Sequence, residues 1–294
     1  MSGRMLSPAK ELVFIIIPVH NRKEITLACL ENLDVTGDLG KFHVVVVDDG
    51  STDGTGVAVR NAFPQVNVLE GHGSLWWTGA IVQGMKYSYE QGAKYFIWLN
   101  DDSTILRDTL SSLVDYCQKH PRSIIGSQGF CQNGGLAYGG KKKTLRGYRF
   151  IQAPDNSVIS CDLLSGNIVC LPREVIDEIG YPDFFRTPHY GGDSLYLIRA
   201  HQHKFSIFVD GRYPAVSLPG QSPLYPTNWL STDNEPNQLI KLMFNPYSGL
   251  SWRVWFHINW EAYSFWGLVM FLKKYTSILC ITFYRYIRRF SHLC

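Results

Sequence analysis

The sequence predicts an α/β fold: a mostly parallel central sheet flanked by helices, with a helical appendage at the C-terminus. Three observations predict it. Short, almost wholly apolar runs alternate with helix-like stretches through the first hundred residues, the connections between them are short, and the final segment turns aromatic and basic. At 294 residues, 45% of them hydrophobic, the chain can bury a core large enough for one domain, or one domain with an appendage.

In chain order, LVFIIIPV (12–19) reads as a buried strand, KEITLACLENL (23–33) as a helix, FHVVVVDD (42–49) as a second strand and DGTGVAVRNAF (53–63) as a helix. VNVLEG (66–71) reads as a short strand, TGAIVQGMKYSYEQG (78–92) as a glycine-stopped helix and KYFIWLNDD (94–102) as a third strong strand. After a helix near 106–119, the glycine-rich stretch 124–160 predicts strands and loops. In it Lys141, Lys142 and Lys143 read first as a solvated loop and second as a landing place for an anionic substrate. CDLLSGNIVCLPREVIDEIG (161–180) predicts a strand, a helix from near Pro172 and a glycine stop, and 184–211 a glycine-bearing turn, a helix and a strand. The prolines 219, 223, 226 and 236 mark an extended crossing or lid.

Composition narrows the function. The formal charge is +3, and from Lys273 onward the chain carries Lys273, Lys274, Arg285, Arg288 and Arg289 without an acid, so the basic bias belongs to the tail. The tail's aromatics and cations predict amphipathic helices at an anionic membrane surface, with an oligomer interface such as a homodimer as the other reading; a basic groove for nucleic acid is not indicated. Seven irregularly spaced cysteines form no zinc or disulfide pattern and predict reduced, mostly buried thiols. The apolar run ending at Pro18 has the length of a strand, so the protein is expected in the cytoplasm, on the inner face of the cell membrane.

Ligands of open α/β sheets bind beyond the carboxyl ends of the strands. Three such ends carry PVHNR, DDGSTD and NDDS, which should converge on one crevice. Carboxylates there can hold a hard divalent cation, which in turn engages phosphate oxygens and neutralises a departing diphosphate. Asp102 is the candidate metal ligand for Mn2+ or Mg2+, with Asp101 fixing the turn or a sugar hydroxyl; Asp48 and Asp49 suit a base N–H or a ribose, although DDG is also an ordinary turn signal. No G-x-G-x-x-G turn follows the first strand and no G-x-x-x-x-G-K-[ST] loop occurs, which sets aside nicotinamide and P-loop chemistry.

IIIPVHNR, VVVVDDGSTDGT and FIWLNDDS together resemble family 2 of the inverting, nucleotide-sugar-dependent glycosyltransferases with the GT-A fold, over roughly residues 12–211. The resemblance implies a catalytic domain at 1–217, a crossing or lid at 218–250 and the helical tail at 251–294. It implies donor binding by Pro18, His20, Asn21, Arg22, Asp48, Asp49, Gly79, Asn100 and Asp101, with the family's D-x-D falling on Asn100, Asp101 and Asp102; its first acid is here Asn, which removes one negative charge. GHGSLWWTGAIVQG (71–84) resembles the donor-side segment of rhamnosyl- and galactofuranosyl-transferase-like members, where Trp76 and Trp77 could stack on a sugar.

In HYGGDSLYLIRA the resemblance makes Asp193 the catalytic base, although the residue also reads as a helix cap. Asp162, Ser165, Gly166, Asn167, His189, Tyr190 and Gly192 would line the acceptor and sugar pocket. No late histidine is placed as a metal ligand, so diphosphate and water would complete the shell. The implied activity is sugar transfer from a UDP- or dTDP-sugar to a glycan or lipid-linked acceptor in cell-surface polysaccharide synthesis. A noncatalytic nucleotide-sugar-binding component, or a nucleotidyltransferase, remains as the alternative.

Overall fold

A computed structural model describes residues 10–218, 224 and 236–291. The first half alternates strand and helix: β1 (Val13–Val19), α1 (Lys23–Thr36), α2 (Asp38–Lys41), β2 (His43–Asp48), α3 (Thr55–Ala62), β3 (Asn67–Glu70), α4 (Trp76–Glu90), β4 (Tyr95–Leu99), β5 (Ser103–Thr104) and α5 (Thr109–Lys119). Then come β6 (Ser123–Cys131), β7 (Leu136–Tyr138), β8 (Gly140–Thr144), β9 (Gly147–Phe150), β10 (Val158–Cys161), β11 (Leu163–Leu164) and β12 (Ile168–Pro172). The chain ends with α6 (Arg173–Ile179), α7 (Gly192–Gln202), β13 (Ser206–Ser217), α8 (Pro236–Phe244) and α9 (Trp252–Ser291).

The main sheet has the order β10-β13-β6-β12-β4-β1-β2-β3, with β5 and β7 as side partners; β11, β8 and β9 form a second, small sheet. β4, β1, β2 and β3 are parallel, as are β6 and β13, while β12 runs antiparallel to β4 and β6 and brings the chain back across the middle. β1, β2 and β4 are buried on both faces, which explains their near-continuous apolar runs, whereas β3 at the edge is only half-buried. Alternate residues serve two cores. Phe14, Ile16, Val45, Val47, Phe96 and Trp98 pack under α4 and α7, whereas Ile15, Ile17, Val44, Val46, Ile97 and Leu99 pack under α1 and α5. Each such side chain contributes about 1.5–3 kcal/mol. Gly84 lets α4 close on this surface, since a Cβ there would overlap Ile16 and reach Val47 Cγ2 at 3.2 Å.

β11 belongs to the small sheet, so the strand expected from residue 161 onward is split: a short pairing with β8, the turn at 165–167, then β12. Lys141, Lys142 and Lys143 lie on β8, paired with β9, which corrects the expectation of a solvated loop. Of the 218–250 crossing, residues 219–223 and 225–235 lie outside the described residues. α9 breaks at Ser264 (φ 50°, ψ −127°). Before the break, Val254, Ile258 and Ala262 join the main core; after it, Tyr275 and Ile278 pack with Leu239, Leu242 and Met243 of α8. Among the described residues the cysteines are free, and four of them, Cys29, Cys117, Cys161 and Cys170, are buried.

Candidate active site

The C-terminal ends of β1, β2 and β4 lie side by side, with Val19 opposite Asp48 in the register. Pro18 is the one half-buried residue of β1, between buried Ile17 and Val19. His20 Nδ1 donates to the Asp49 carbonyl at 2.6 Å, and the Asn21 Oδ1 accepts from the Thr52 N–H at 2.7 Å, while the Asn21 N–H donates to Ser51 Oγ at 2.8 Å. The polar turn after β1 is thereby stitched to the turn after β2. Asn21 sits at φ 51°, a backbone region that asparagine tolerates better than most residues.

The two carboxylates after β2 have different duties. Asp48 accepts the Ser51 N–H at 3.0 Å and shapes the DDGS turn. Asp49 is buried and holds the start of α4: Oδ1 accepts the Gly73 N–H at 2.8 Å, and Oδ2 accepts the N–H groups of Leu75 (2.8 Å) and Trp76 (2.9 Å). These are donors that a helix N-terminus leaves without partners. Asp49 therefore organises the loop before α4 with both oxygens. Gly79 is buried in the first turns of α4, its N–H given to the Leu75 carbonyl, which removes it from the surface expected to touch a donor.

Beyond β4, the Arg22 guanidinium lies 3.1 Å from Asp101 Oδ1 and 3.2 Å from Asp102 Oδ2. Asp101 also accepts from Thr26 Oγ1 at 3.1 Å. Burial pushes the Asp101 carboxyl up to about 6, and the Arg22 charge opposes that rise. Asp102 Oδ1 and Arg22 Nε are buried without a hydrogen-bond partner. Among the described residues, no group of three or more His, Cys, Asp or Glu side chains could hold a metal ion. The donor set still fits Mn2+ or Mg2+ in one respect: Asp102 Oδ1 is an orphaned hard oxygen donor, suited to a shell completed by diphosphate and water.

The turn after β4 and the turn before β12 meet at Trp77. Its indole N–H donates to Asn100 Oδ1 at 2.8 Å, the Asn100 N–H donates to the Asn167 carbonyl at 2.8 Å, and the Gly166 N–H donates to Asp193 Oδ2 at 2.8 Å. A Cβ on Gly166 would stand 2.7 Å from the Asp193 Cβ and 3.0 Å from the Trp77 ring. Only glycine lets these three surfaces close. Asp193 lies in the first turn of α7 and also accepts its neighbour's Ser194 N–H at 2.6 Å, so both oxygens are oriented. Gly192 is buried against Thr78, and the Ser165 N–H is given to the Gly139 carbonyl, so these two residues build the turn around Asp193.

The other expected pocket residues separate. One face of Trp76 is covered by Tyr247 in a stack at 4.3 Å, and its ring lies tilted against His189 at 5.1 Å, so that face is not open to a sugar. His189 in turn packs on Tyr190 at 4.3 Å, and burial lowers its pKa to about 4. Asp162 turns toward β8, accepting the Lys143 N–H at 2.7 Å and facing Lys142 Nζ at 3.4 Å. There it lines a separate cleft of about 220 Å3 with Lys143, Tyr148, Ile198, His201 and Gln202. Sequence reasoning missed Thr26 and Tyr247, and it read Lys141 only as part of a lysine cluster, not as a neighbour of Asp193. Thr26 stands one helical turn after Arg22, a spacing that could have found it; Lys141 has its pKa lowered by burial while the nearby Asp193 charge opposes, and only strand pairing reveals that neighbour.

A family model described as Glycosyl transferase family 2 matches residues 14–179. No curated protein matches the chain in sequence. Among solved structures, the chain is similar to the mannosyltransferase PcManGT from Pyrobaculum calidifontis in complex with GDP-Man and Mn2+, with 15% identity and a TM-score of 0.52 over 90% of this chain and 75% of that one. It is similar to S. aureus TarS (1-349) in complex with UDP at 18% identity and TM-score 0.51, over 84% and 71% of the two chains. GalNAc-T7 with UDP, GalNAc and Mn2+ superposes with TM-score 0.56 at 12% identity, over 85% of this chain and 55% of that one. At such identities the likeness is one of fold.

Proposed function

The chain belongs to glycosyl transferase family 2, whose chemistry is inverting and metal-dependent, and from that premise we propose that it moves a sugar from a UDP- or dTDP-sugar to a glycan or lipid-linked acceptor during cell-surface polysaccharide synthesis. The observation that carries this reading is the link from Asn100, which directly precedes the acids after β4, to Asp193: the Trp77 N–H on Asn100, Trp77 against Gly166, and the Gly166 N–H on Asp193. A donor-side crevice and an oriented carboxylate then face one another across a single indole.

In this reading the turns after β1 and β2 seat the nucleoside, with Asp48 and the His20–Asn21 turn as its walls. Asp102 Oδ1 would hold Mn2+ or Mg2+, which when bound supplies neutralising charge at the departing diphosphate. Asp193 takes the proton from the acceptor hydroxyl as that oxygen attacks the anomeric carbon from the face opposite the diphosphate, and one displacement inverts the configuration. Holding both oxygens of Asp193 by backbone N–H groups limits it to few rotamers, which favours a near-attack arrangement. Rhamnose, galactofuranose, glucose and N-acetylated sugars are all candidate donors in this reading, because a methyl or hydroxyl difference is read by pocket shape.

The acceptor side faces a membrane in the same proposal. α9 is long and apolar enough to cross one by length and composition. Its break at Ser264 and the burial of Val254, Ile258 and Ala262 in the main core favour a helix lying on the cytoplasmic surface. The first test is binding and slow hydrolysis of UDP-, dTDP-, GDP- and CMP-sugars with Mn2+, Mg2+ or chelator. One uridine or thymidine donor bound and hydrolysed only with metal is expected; a purified, folded protein that binds none of them overturns the donor assignment.

A further inference from the structure

Resting on the membrane reading above, we propose that the hairpin of β8 and β9 is a second membrane-contacting element, which meets an anionic bilayer together with the broken part of α9. The hairpin GKKKTLRGYRF at 140–150 holds five cations and no acid. At its tip Leu145 is 78% exposed, and Phe150 at the end of β9 is 52% exposed, with Arg146 and Arg149 exposed between them. An apolar tip flanked by arginines has little reason to face water alone.

The tip is fixed to the break in α9. The Trp266 indole N–H donates to the Leu145 carbonyl at 2.8 Å, Lys143 Nζ donates to the Ala262 carbonyl, and Met270 Cε lies 3.8 Å from the position a Cβ on Gly147 would take. At the same break Phe265 is 73% exposed and Trp266 48% exposed. Further along α9, Leu272, Leu279, Phe283 and Ile287 are exposed at helical spacing, on a different face from Tyr275, Ile278 and Thr282, which are buried. The exposed stripe therefore runs from the hairpin tip down the helix, with Lys273 and Arg288 along it. Charge selects the occupant: after the break at Ser264 the chain carries five lysines and arginines and no acid, and although Lys274 folds in over Trp255, Lys273 and Arg288 are exposed. A surface that pairs aromatic and leucine side chains with an excess of cations fits anionic lipid headgroups and the acyl boundary beneath them.

The consequence for the active site follows from pairing. Lys141 of β8 pairs with Leu163 of β11, and two residues beyond β11 the Gly166 N–H holds Asp193. A hairpin resting on lipid thus presents the base side of the crevice to molecules embedded in that surface.

Full-length protein is sedimented with vesicles of phosphatidylcholine alone and with one third phosphatidylglycerol, beside the double variant Arg146→Gln, Arg149→Gln and the double variant Leu279→Gln, Phe283→Gln. UDP affinity confirms that each variant is folded. Wild type should prefer the anionic vesicles, and the hairpin variant should bind them about 30-fold less tightly, from two cations at about 1 kcal/mol each. Undiminished binding by the hairpin variant, with binding lost in the α9 variant, overturns the hairpin inference and leaves the tail reading intact. No vesicle binding by the wild type overturns both. Lipid-free wild type that sediments as a dimer, and that the hairpin substitutions turn into a monomer, also overturns the inference, because a second copy would then be the occupant.

Discussion

Asp193 and His189 stand four residues apart and answer to different physics. Asp193 is oriented by two N–H donors, one on each oxygen, so Asp193→Asn keeps its size and one of those two contacts, sets its amide NH2 against the other N–H, and removes the proton acceptor. Transfer should fall by about 10²–10⁴-fold with nucleotide affinity unchanged, as read by parallel turnover and titration of UDP. Unchanged turnover would leave Asp193 as a helix cap only. His189 is a stability matter. Burial lowers its pKa from 6.5 to about 4, so between those values the unfolded chain binds a proton that the folded chain excludes. Its contribution is present above pH 6.5 and is lost as the pH falls toward 4. Between pH 7.5 and pH 5 the loss should reach about 2 kcal/mol. Urea midpoints at the two pH values, compared with those of His189→Gln, check this; an equal acid sensitivity in the variant would assign it to other groups.

At the scale of elements, α4 depends on a residue outside it. Asp49 accepts three backbone N–H groups of the 73–76 turn, and Asp49→Ala should destabilise the protein by about 2 kcal/mol while loosening the donor-side loop. Chemical denaturation measures it, and an unchanged midpoint with lost donor binding would make Asp49 a ligand contact alone. The same element marks what the sequence made legible. β1, β2 and β4 were readable because strands buried on both faces must be apolar throughout, and their polar ends were readable because sheet ligands gather there. α4 was expected to start at 78, yet it starts at Trp76, because its first donors are satisfied by a carboxylate 24 to 27 residues earlier. Arg22 reaching Asp102 across 80 residues, Tyr247 stacking on Trp76 and Lys141 lying near Asp193 were hidden for the same reason. Local periodicity carries no information about which distant strand or loop becomes a neighbour. The turn between β11 and β12 shows how much then rests on one atom: Gly166→Ala inserts a methyl 2.7 Å from the Asp193 Cβ and against Trp77, and should abolish most transfer with UDP affinity kept.

For the whole molecule, the question is where the catalytic body ends. α9 is one run of sequence but two structural units divided at Ser264, and its first turns supply Val254, Ile258 and Ala262 to the core that also holds Trp98 and Tyr196. Losing three such side chains removes about 1.5–3 kcal/mol for each of the two larger ones, against a total stability on the order of 5–15 kcal/mol. The second unit packs chiefly on α8 through Tyr275 and Ile278. A chain ending at residue 263 should therefore unfold cooperatively and bind UDP, whereas one ending at residue 250 should be poorly soluble or lack a cooperative transition. Thermal unfolding by circular dichroism and a UDP titration on both chains decide it. If the shorter chain folds and binds as well as the longer, α9 is wholly an appendage, and the catalytic body ends before Trp252.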